Sequence, residues 1–190
     1  ELTALSETCH KYGLYLFLDG ARLGYGLAAP DNDLTLPDIA ALCDVFYIGG
    51  TKVGALFGEA VVIKNPELAQ DFRYLIKQNG GMLAKGRLLG LQFDALFTDG
   101  LYQEISAHAI AMAEKLREAF TAKGYNYLAP NRTNQIFVIV PDAHLAKISE
   151  QFEYSYDQRI DATHSCVRFC TGWATKEENV DALIRCVEKL

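Results

Sequence analysis

The sequence predicts an α/β protein in which a mixed, mostly parallel sheet is followed by a small α+β domain. Short continuous apolar runs bounded by turn residues are typical of strands buried on both faces, and they occur at Leu14–Leu18 and Val45–Ile48. Helical spacing separates and follows these runs, and strands joined by helical crossovers favour a parallel or mixed sheet. The pattern changes near residue 115, so we predict a larger domain over residues 1–115 and a smaller one over 116–190.

Apolar periodicity and the positions of glycine set the remaining element boundaries. Residues 1–12 are predicted to end a helix at Gly13, because glycine commonly terminates helices. An amphipathic helix is predicted over Leu101–Lys123, and it ends before Gly124. The other predicted elements are helices at Leu36–Leu42, Asp142–Gln151 and Lys176–Lys189, helical segments from Glu67 onward with breaks at Gly80-Gly81 and Asp99-Gly100, and strands at Ala60–Ile63, Gln135–Val140 and Val167–Thr171.

Composition excludes several classes of protein. The chain of 190 residues has a formal net charge of -6 and no basic block, which argues against nucleic acid as a partner. No apolar run approaches the roughly 20 residues that a membrane helix needs. The five cysteines form no C-x-x-C pair, which disfavours a disulfide framework or zinc site and indicates free thiols in the cytoplasm. The opening at Glu1 resembles the middle of a helix, so we expect a cut through a longer chain.

Two charged residues stand directly after predicted strands. Asp19 follows the first strand and Lys52 follows Val45–Ile48 through two glycines and Thr51, and the carboxyl ends of such strands are where α/β proteins bind ligands. Each residue has an ordinary interpretation: Asp19 as a turn or N-cap residue, or as the partner of Arg22 in a local ion pair, and Lys52 as a lysine that reaches solvent. Together they favour pyridoxal phosphate (PLP) chemistry, which needs an amine and an anion beside the pyridine nitrogen.

The same residues carry a family resemblance. The segment Leu-Asp-Gly-Ala-Arg-Leu at 18–23, followed by Gly-Gly-Thr-Lys at 49–52, resembles the low-specificity L-threonine aldolase and β-eliminating lyase family of fold-type-I PLP enzymes, within the aspartate aminotransferase superfamily. The resemblance extends over essentially the whole chain, including Val-Arg-Phe-Cys-Thr-Gly-Trp-Ala-Thr at 167–175. It implies that residues 1–115 are the C-terminal portion of the PLP-binding large domain, and that 116–190 are the small C-terminal domain.

The resemblance also implies roles for individual residues. Lys52 resembles the lysine that forms a Schiff base with PLP, and Asp19 resembles the partner of the pyridine nitrogen. Arg22 and Arg168 resemble the arginines that bind the substrate α-carboxylate, for which a planar fork of donors is suited. Thr51 occupies a position where a hydroxyl commonly contacts the cofactor phosphate.

Some positions depart from the family pattern. Lys85 lies, with Lys77 and Gly80–Met82, in a basic segment that resembles one placed near a neighbouring subunit's site. The family typically has an arginine close to Lys85, so Arg87 is an equal candidate for the phosphate. The phosphate loop and the residue that stacks on the ring belong to an N-terminal half that these 190 residues do not include. The histidines His10, His108, His144 and His164 do not match the family's stacking histidine and are interpreted as structural.

The resemblance implies an aldolase that cleaves a β-hydroxy-α-amino acid such as threonine to glycine and an aldehyde. A PLP-dependent β-eliminating lyase or an aminotransferase is the alternative, because these enzymes share Asp19, Lys52 and Arg168. A third possibility is that the chain by itself is an inactive fragment lacking the N-terminal half of the site. The implied partners are a small amino-acid substrate, a second copy in a homodimer or homotetramer, and a complementary N-terminal segment.

Overall fold

The structure is a computed structural model that describes residues 1–190. Its contacts divide the chain into two compact units. The first comprises Glu1–Leu27 and Asn32–Gln103, and the second comprises Ala28–Asp31 and Glu104–Leu190. The domain boundary between residues 115 and 116 stays a prediction. None of the helices combines the length and apolar content needed to cross a bilayer.

The first unit contains a three-stranded mixed sheet. Strand β2 lies in the middle, pairs in parallel with β1 and pairs antiparallel with β3. Phe46 and Ile48 of β2 are buried, so one face of the sheet contributes to the core. The elements in chain order are α1 (Leu2–Lys11), β1 (Phe17–Leu18), α2 (Leu23–Leu27), α3 (Leu36–Leu42), β2 (Val45–Gly49), β3 (Glu59–Ile63), α4 (Pro66–Ala69), α5 (Phe72–Gln78), α6 (Arg87–Phe97) and the first residues of α7 (Leu101–Ala122).

Helix α3 precedes β2 in the chain, and its start is encoded locally. Thr35 is the N-cap, and its hydroxyl accepts a hydrogen bond from the Asp38 backbone N–H at 3.4 Å. The Asp38 carboxylate in turn accepts from the Thr35 N–H at 2.8 Å, which completes a capping box. Pro37 lies in the first turn, where its missing N–H is not needed. The Thr35 hydroxyl also donates to the Asp38 carboxylate, and this hydrogen bond, followed by that from the Thr35 N–H, lowers the pKa of Asp38.

The second unit contains a four-stranded antiparallel sheet in the order β4-β5-β7-β6. Its elements are the rest of α7, β4 (Asn126–Tyr127), β5 (Gln135–Pro141), α8 (Asp142–Ile148), β6 (Ser155–Arg159), β7 (His164–Cys170) and α9 (Glu177–Glu188). Ile136, Val138 and Val140 alternate along β5 and are fully buried. They pack in one core with side chains of α7 and α9, and each such aliphatic side chain stabilises the fold by roughly 1.5–3 kcal/mol.

The prediction for the first strand is wrong in length and in burial. Only Phe17–Leu18 form β1, and Leu14 and Phe17 are each 59% exposed. The physical reason is that β1 is an edge strand in this chain, with β2 as its single neighbour and one face uncovered. Sequence reasoning also missed α2, which contains two glycines, and β6, whose five residues are all exposed. Neither segment carries the apolar periodicity from which the other elements were inferred.

Candidate functional site

Two glycines allow the ends of β1 and β2 to lie against each other. Gly20 directly follows Asp19, and a Cβ atom at Gly20 would lie 1.7 Å from the Tyr47 carbonyl oxygen. A Cβ atom at Gly49 would lie 2.5 Å from the Ala21 carbonyl oxygen, and the Gly49 N–H donates to the Gly20 carbonyl at 2.9 Å. Any larger residue would separate the two strand ends. The close approach explains why glycine occupies both positions beside the candidate site.

The Asp19 carboxylate has one oxygen occupied by the chain and one available. Its Oδ1 accepts hydrogen bonds from the Tyr47 hydroxyl and from the Ala21 N–H, the latter at 3.1 Å. No protein group donates to Oδ2. The Tyr47 hydrogen bond, then the Ala21 hydrogen bond, and also the positive charge of Lys52, lower the pKa of Asp19. Arg22 takes no part, so the ordinary reading of a local Asp19–Arg22 ion pair is wrong.

Lys52 lies in the turn that follows β2, and a buried side chain holds its backbone in place. The buried Tyr25 donates its hydroxyl proton to the Lys52 carbonyl at 2.5 Å. The Lys52 side chain is exposed, which agrees with the interpretation of a lysine that reaches solvent. Thr51 is also exposed, and its hydroxyl donates to the Gly58 carbonyl at 3.3 Å. The candidate lysine therefore combines a fixed backbone with a free amine.

Three further side chains hold the same loop, and sequence reasoning found none of them. The hydroxyl of Tyr102 accepts from the Gly24 N–H at 3.1 Å and donates to the Gly49 carbonyl at 2.9 Å. Glu59 accepts a hydrogen bond from the Gly50 N–H. Gln92 accepts from two backbone N–H groups of the loop, those of Leu56 and Phe57. Tyr102 lies 53 positions from its partner Gly49, so no local pattern could have revealed the contact.

The remaining candidates of the first unit lie at the starts of α2 and α6 or in the turns before them. Arg22 is half-buried and immediately precedes α2, where its carbonyl accepts from the Gly26 N–H. Its guanidinium has no protein partner. Lys85 is exposed in the turn before α6, and Arg87 is exposed at the first position of that helix.

Arg168 belongs to the second unit, where it lies on β7 opposite Phe137 of β5. Its guanidinium lies 5.9 Å from the centre of the Phe137 ring, and its Nη1 donates to Gln135 Oε1 at 3.2 Å. The Nε atom is buried and has no hydrogen-bond partner. Buried donors are nearly always paired, so an orphaned N–H on a cation is suited to an anionic ligand.

The four histidines each have a protein partner. His10 contacts Asp44, His108 contacts the Thr175 carbonyl, His144 contacts the Tyr125 hydroxyl, and His164 contacts Asp161. These contacts are consistent with the structural interpretation of all four.

The chain is similar in sequence to proteins of a known family. Residues 1–143 match the family model for beta-eliminating lyases. The chain is 32% identical over 187 residues to a low specificity L-threonine aldolase of a Pseudomonas species, covering 96% of this chain and 52% of that protein. For a second such aldolase, from Pseudomonas aeruginosa, the identity is 30% and the coverage 97% and 53%.

A solved structure, that of Leishmania major threonine aldolase, superposes with a TM-score of 0.97 at 42% identity, covering 100% of this chain and 55% of that one. The match confirms the predicted fold class and the resemblance seen in the sequence. The chain spans about half the length of the relatives that it matches. By its sequence and its backbone, the chain belongs to the beta-eliminating lyase family.

Proposed function

We propose that this chain is part of a PLP-dependent aldolase that cleaves a β-hydroxy-α-amino acid, such as threonine, to glycine and an aldehyde. The observation that carries the proposal is that Asp19, with a carboxylate oxygen that the chain leaves unoccupied, and the exposed Lys52 follow neighbouring parallel strands. The positive charge of Lys52 also lowers the pKa of Asp19. The names of the relatives, which are low specificity L-threonine aldolases, support the choice of substrate class.

The residues present fit a pyridoxal phosphate. As an anion, Asp19 would accept a hydrogen bond from the pyridine nitrogen at Oδ2 and keep that nitrogen protonated. Lys52 would tether the cofactor through its free amine, and Thr51 would contact the phosphate, with Lys85 as a further phosphate contact. When bound, the cofactor withdraws electrons from the substrate α-carbon, and this lets the Cα–Cβ bond break.

The substrate α-carboxylate needs cationic donors. We propose Arg22 and Arg168 for this role, because each guanidinium retains donors that the protein does not use. Arg22 belongs to the first unit and Arg168 to the second. Replacing Arg168 with lysine would keep the charge but lose the planar fork, so we expect KM for the amino acid to rise more than kcat falls.

A β-eliminating lyase is the second candidate, because the family model that matches residues 1–143 carries that description. The two activities differ in products. An aldolase releases glycine and acetaldehyde from threonine, whereas a β-eliminating lyase releases pyruvate and ammonia from a β-substituted amino acid. Product analysis on both substrates separates the candidates.

The decisive experiment changes Lys52 to alanine in the complete protein and reduces the cofactor complex with borohydride. Peptide mass spectrometry should find the cofactor on the Lys52 peptide of the unchanged protein, and turnover of threonine should be lost in Lys52→Ala. Lys176→Ala, at a lysine whose side chain is 72% exposed, is the matched control and should behave as the unchanged protein. Full turnover by Lys52→Ala, or cofactor on a different lysine, would overturn the proposal.

Several properties of the whole protein stay proposals. We propose a cytoplasmic homodimer or homotetramer in which a complementary N-terminal segment supplies the phosphate loop and the stacking residue. On this proposal the isolated 190 residues bind PLP weakly and do not cleave threonine. Glycine formation by the isolated chain above the background of Lys52→Ala would contradict it.

A further inference from the structure

Tyr47 is the residue of β2 that contacts the Asp19 carboxylate, the proposed partner of the pyridine nitrogen. The parallel register pairs Phe17 with Val45 and Leu18 with Phe46, so Asp19 and Tyr47 come next on the two strands. The Tyr47 hydroxyl donates to Asp19 Oδ1, the same oxygen that accepts from the Ala21 N–H. Tyr47 thereby fills the last free position on that oxygen from the protein side.

The Tyr47 ring is held in place by its neighbours on both sides. Phe17 of β1 packs against it with ring centroids 6.0 Å apart and an interplanar angle of 41°. Val61 of β3 is its cross-strand partner on the same face of the sheet. A phenol that packs between residues of two strands donates its hydrogen bond in one direction, which a side chain on a flexible loop would not do.

We propose that Tyr47 is a positioning residue for the cofactor: its hydroxyl fixes the rotation of the Asp19 carboxylate, so that Oδ2 is left for the pyridine nitrogen. The inference rests on the proposed function, because it assigns Asp19 to the pyridine nitrogen. It extends that function because the charge on the pyridine nitrogen would then depend on Tyr47 as well as on Asp19. Tyr47 itself would not contact the cofactor.

The electrostatics of both partners agree with this arrangement. The hydrogen bond from Tyr47 is the largest influence that lowers the pKa of Asp19, ahead of the Ala21 N–H and the charge of Lys52. The same hydrogen bond is the largest influence that raises the pKa of Tyr47 to about 12, followed by burial and by the charges of Asp19 and Glu59. Tyr47 therefore remains a neutral donor, and Asp19 an anionic acceptor, across the physiological range.

The first test measures the pair without cofactor, in the 190-residue chain. Tyr47→Phe removes only the hydroxyl, and the side-chain carboxyl carbon of Asp19 is followed by NMR as the pH changes. The Asp19 midpoint should move to higher pH in Tyr47→Phe and stay in place in the control Tyr12→Phe, whose side chain is 71% exposed. In the reverse direction, Asp19→Asn should bring the Tyr47 midpoint down from about 12 toward its ordinary value of 10.0. This second variant keeps the test valid if Tyr47→Phe does not fold.

The second test uses the complete protein with PLP. Tyr47→Phe should weaken cofactor affinity about 3- to 10-fold, since a hydrogen bond to a charged group is lost while the Ala21 donor remains. The absorbance of the bound cofactor should also become dependent on pH in a range where the unchanged protein is constant. Tyr12→Phe should alter neither quantity.

The outcomes separate this inference from the proposed function. Unchanged cofactor affinity and absorbance in Tyr47→Phe, with cofactor still attached to Lys52, would overturn the role of Tyr47 and leave the proposed function standing. Unmoved midpoints for both Asp19 and Tyr47 would overturn it as well. Failure of the unchanged complete protein to bind PLP would refute the proposed function, whatever the Asp19–Tyr47 titrations show.

Discussion

Tyr102 offers the most direct test of how the Lys52 loop is held. The residue is 1% exposed, and its hydroxyl joins the Gly24 N–H to the Gly49 carbonyl at 3.1 and 2.9 Å. Burial raises the pKa of Tyr102 to about 12, so the phenol remains protonated as a donor in the physiological range. Tyr102→Phe removes one oxygen and keeps the ring, including its contact with Phe97 at 5.3 Å between centroids.

The expected cost follows from the two backbone groups that lose a partner. An unsatisfied buried donor or acceptor costs about 1–3 kcal/mol, and partial relaxation recovers some of this. We therefore expect the free energy of unfolding to fall by about 2–4 kcal/mol. For a chain of this size, where each kcal/mol shifts the midpoint by about 2–4 °C, Tm should fall by roughly 4–16 °C.

Thermal unfolding followed by circular dichroism measures the shift, and amide hydrogen exchange at Gly24 reports the local effect. Tyr74→Phe is the matched control, because Tyr74 is 74% exposed and loses the same atom to water. Exchange at Gly24 should accelerate in Tyr102→Phe alone. Equal Tm values and equal Gly24 exchange in the two variants would refute the reasoning, since they would mean that the backbone groups do not depend on the hydroxyl.

Two further predictions concern the reactivity of the cysteines and the loss of folding stability at low pH. Cys170 is exposed, whereas burial raises the pKa of the Cys43 and Cys166 thiols, so alkylation of the folded chain should label Cys170 first by peptide mass spectrometry. Similar labelling rates at all three would contradict the burial. Hydrogen bonds led by the Thr163 N–H lower the pKa of Asp161 to about 2 from 3.8. A group with a depressed folded pKa stabilises the protein above its unfolded pKa and loses that effect as pH falls. Asp161→Asn should therefore flatten the decline in stability between about pH 4 and 2, measured by denaturant unfolding, and an unchanged slope would disprove the contribution.

The candidate site was partly predictable because two of its residues stand just after predicted strands. Asp19 and Lys52 each follow an apolar run, and glycines beside them indicate close backbone approach. No local pattern indicates that Tyr47 donates to Asp19, because the two residues are separated by 28 positions and meet only through strand register. Tyr25 and Tyr102 resemble ordinary apolar helix residues, and their hydroxyl partners became visible only in three dimensions.

The sequence by itself determined which segments are helices and strands where periodicity is strong, the family to which the chain belongs, and the residue types that meet at the strand ends. These properties depend on neighbours within a few positions, where side-chain pattern and capping act. Only the tertiary structure decided which face of β1 is exposed, which oxygen of Asp19 is available, and which buried tyrosines hold the loop of Lys52. Burial and hydrogen-bond satisfaction depend on groups that are distant along the chain, and only folding brings those groups together.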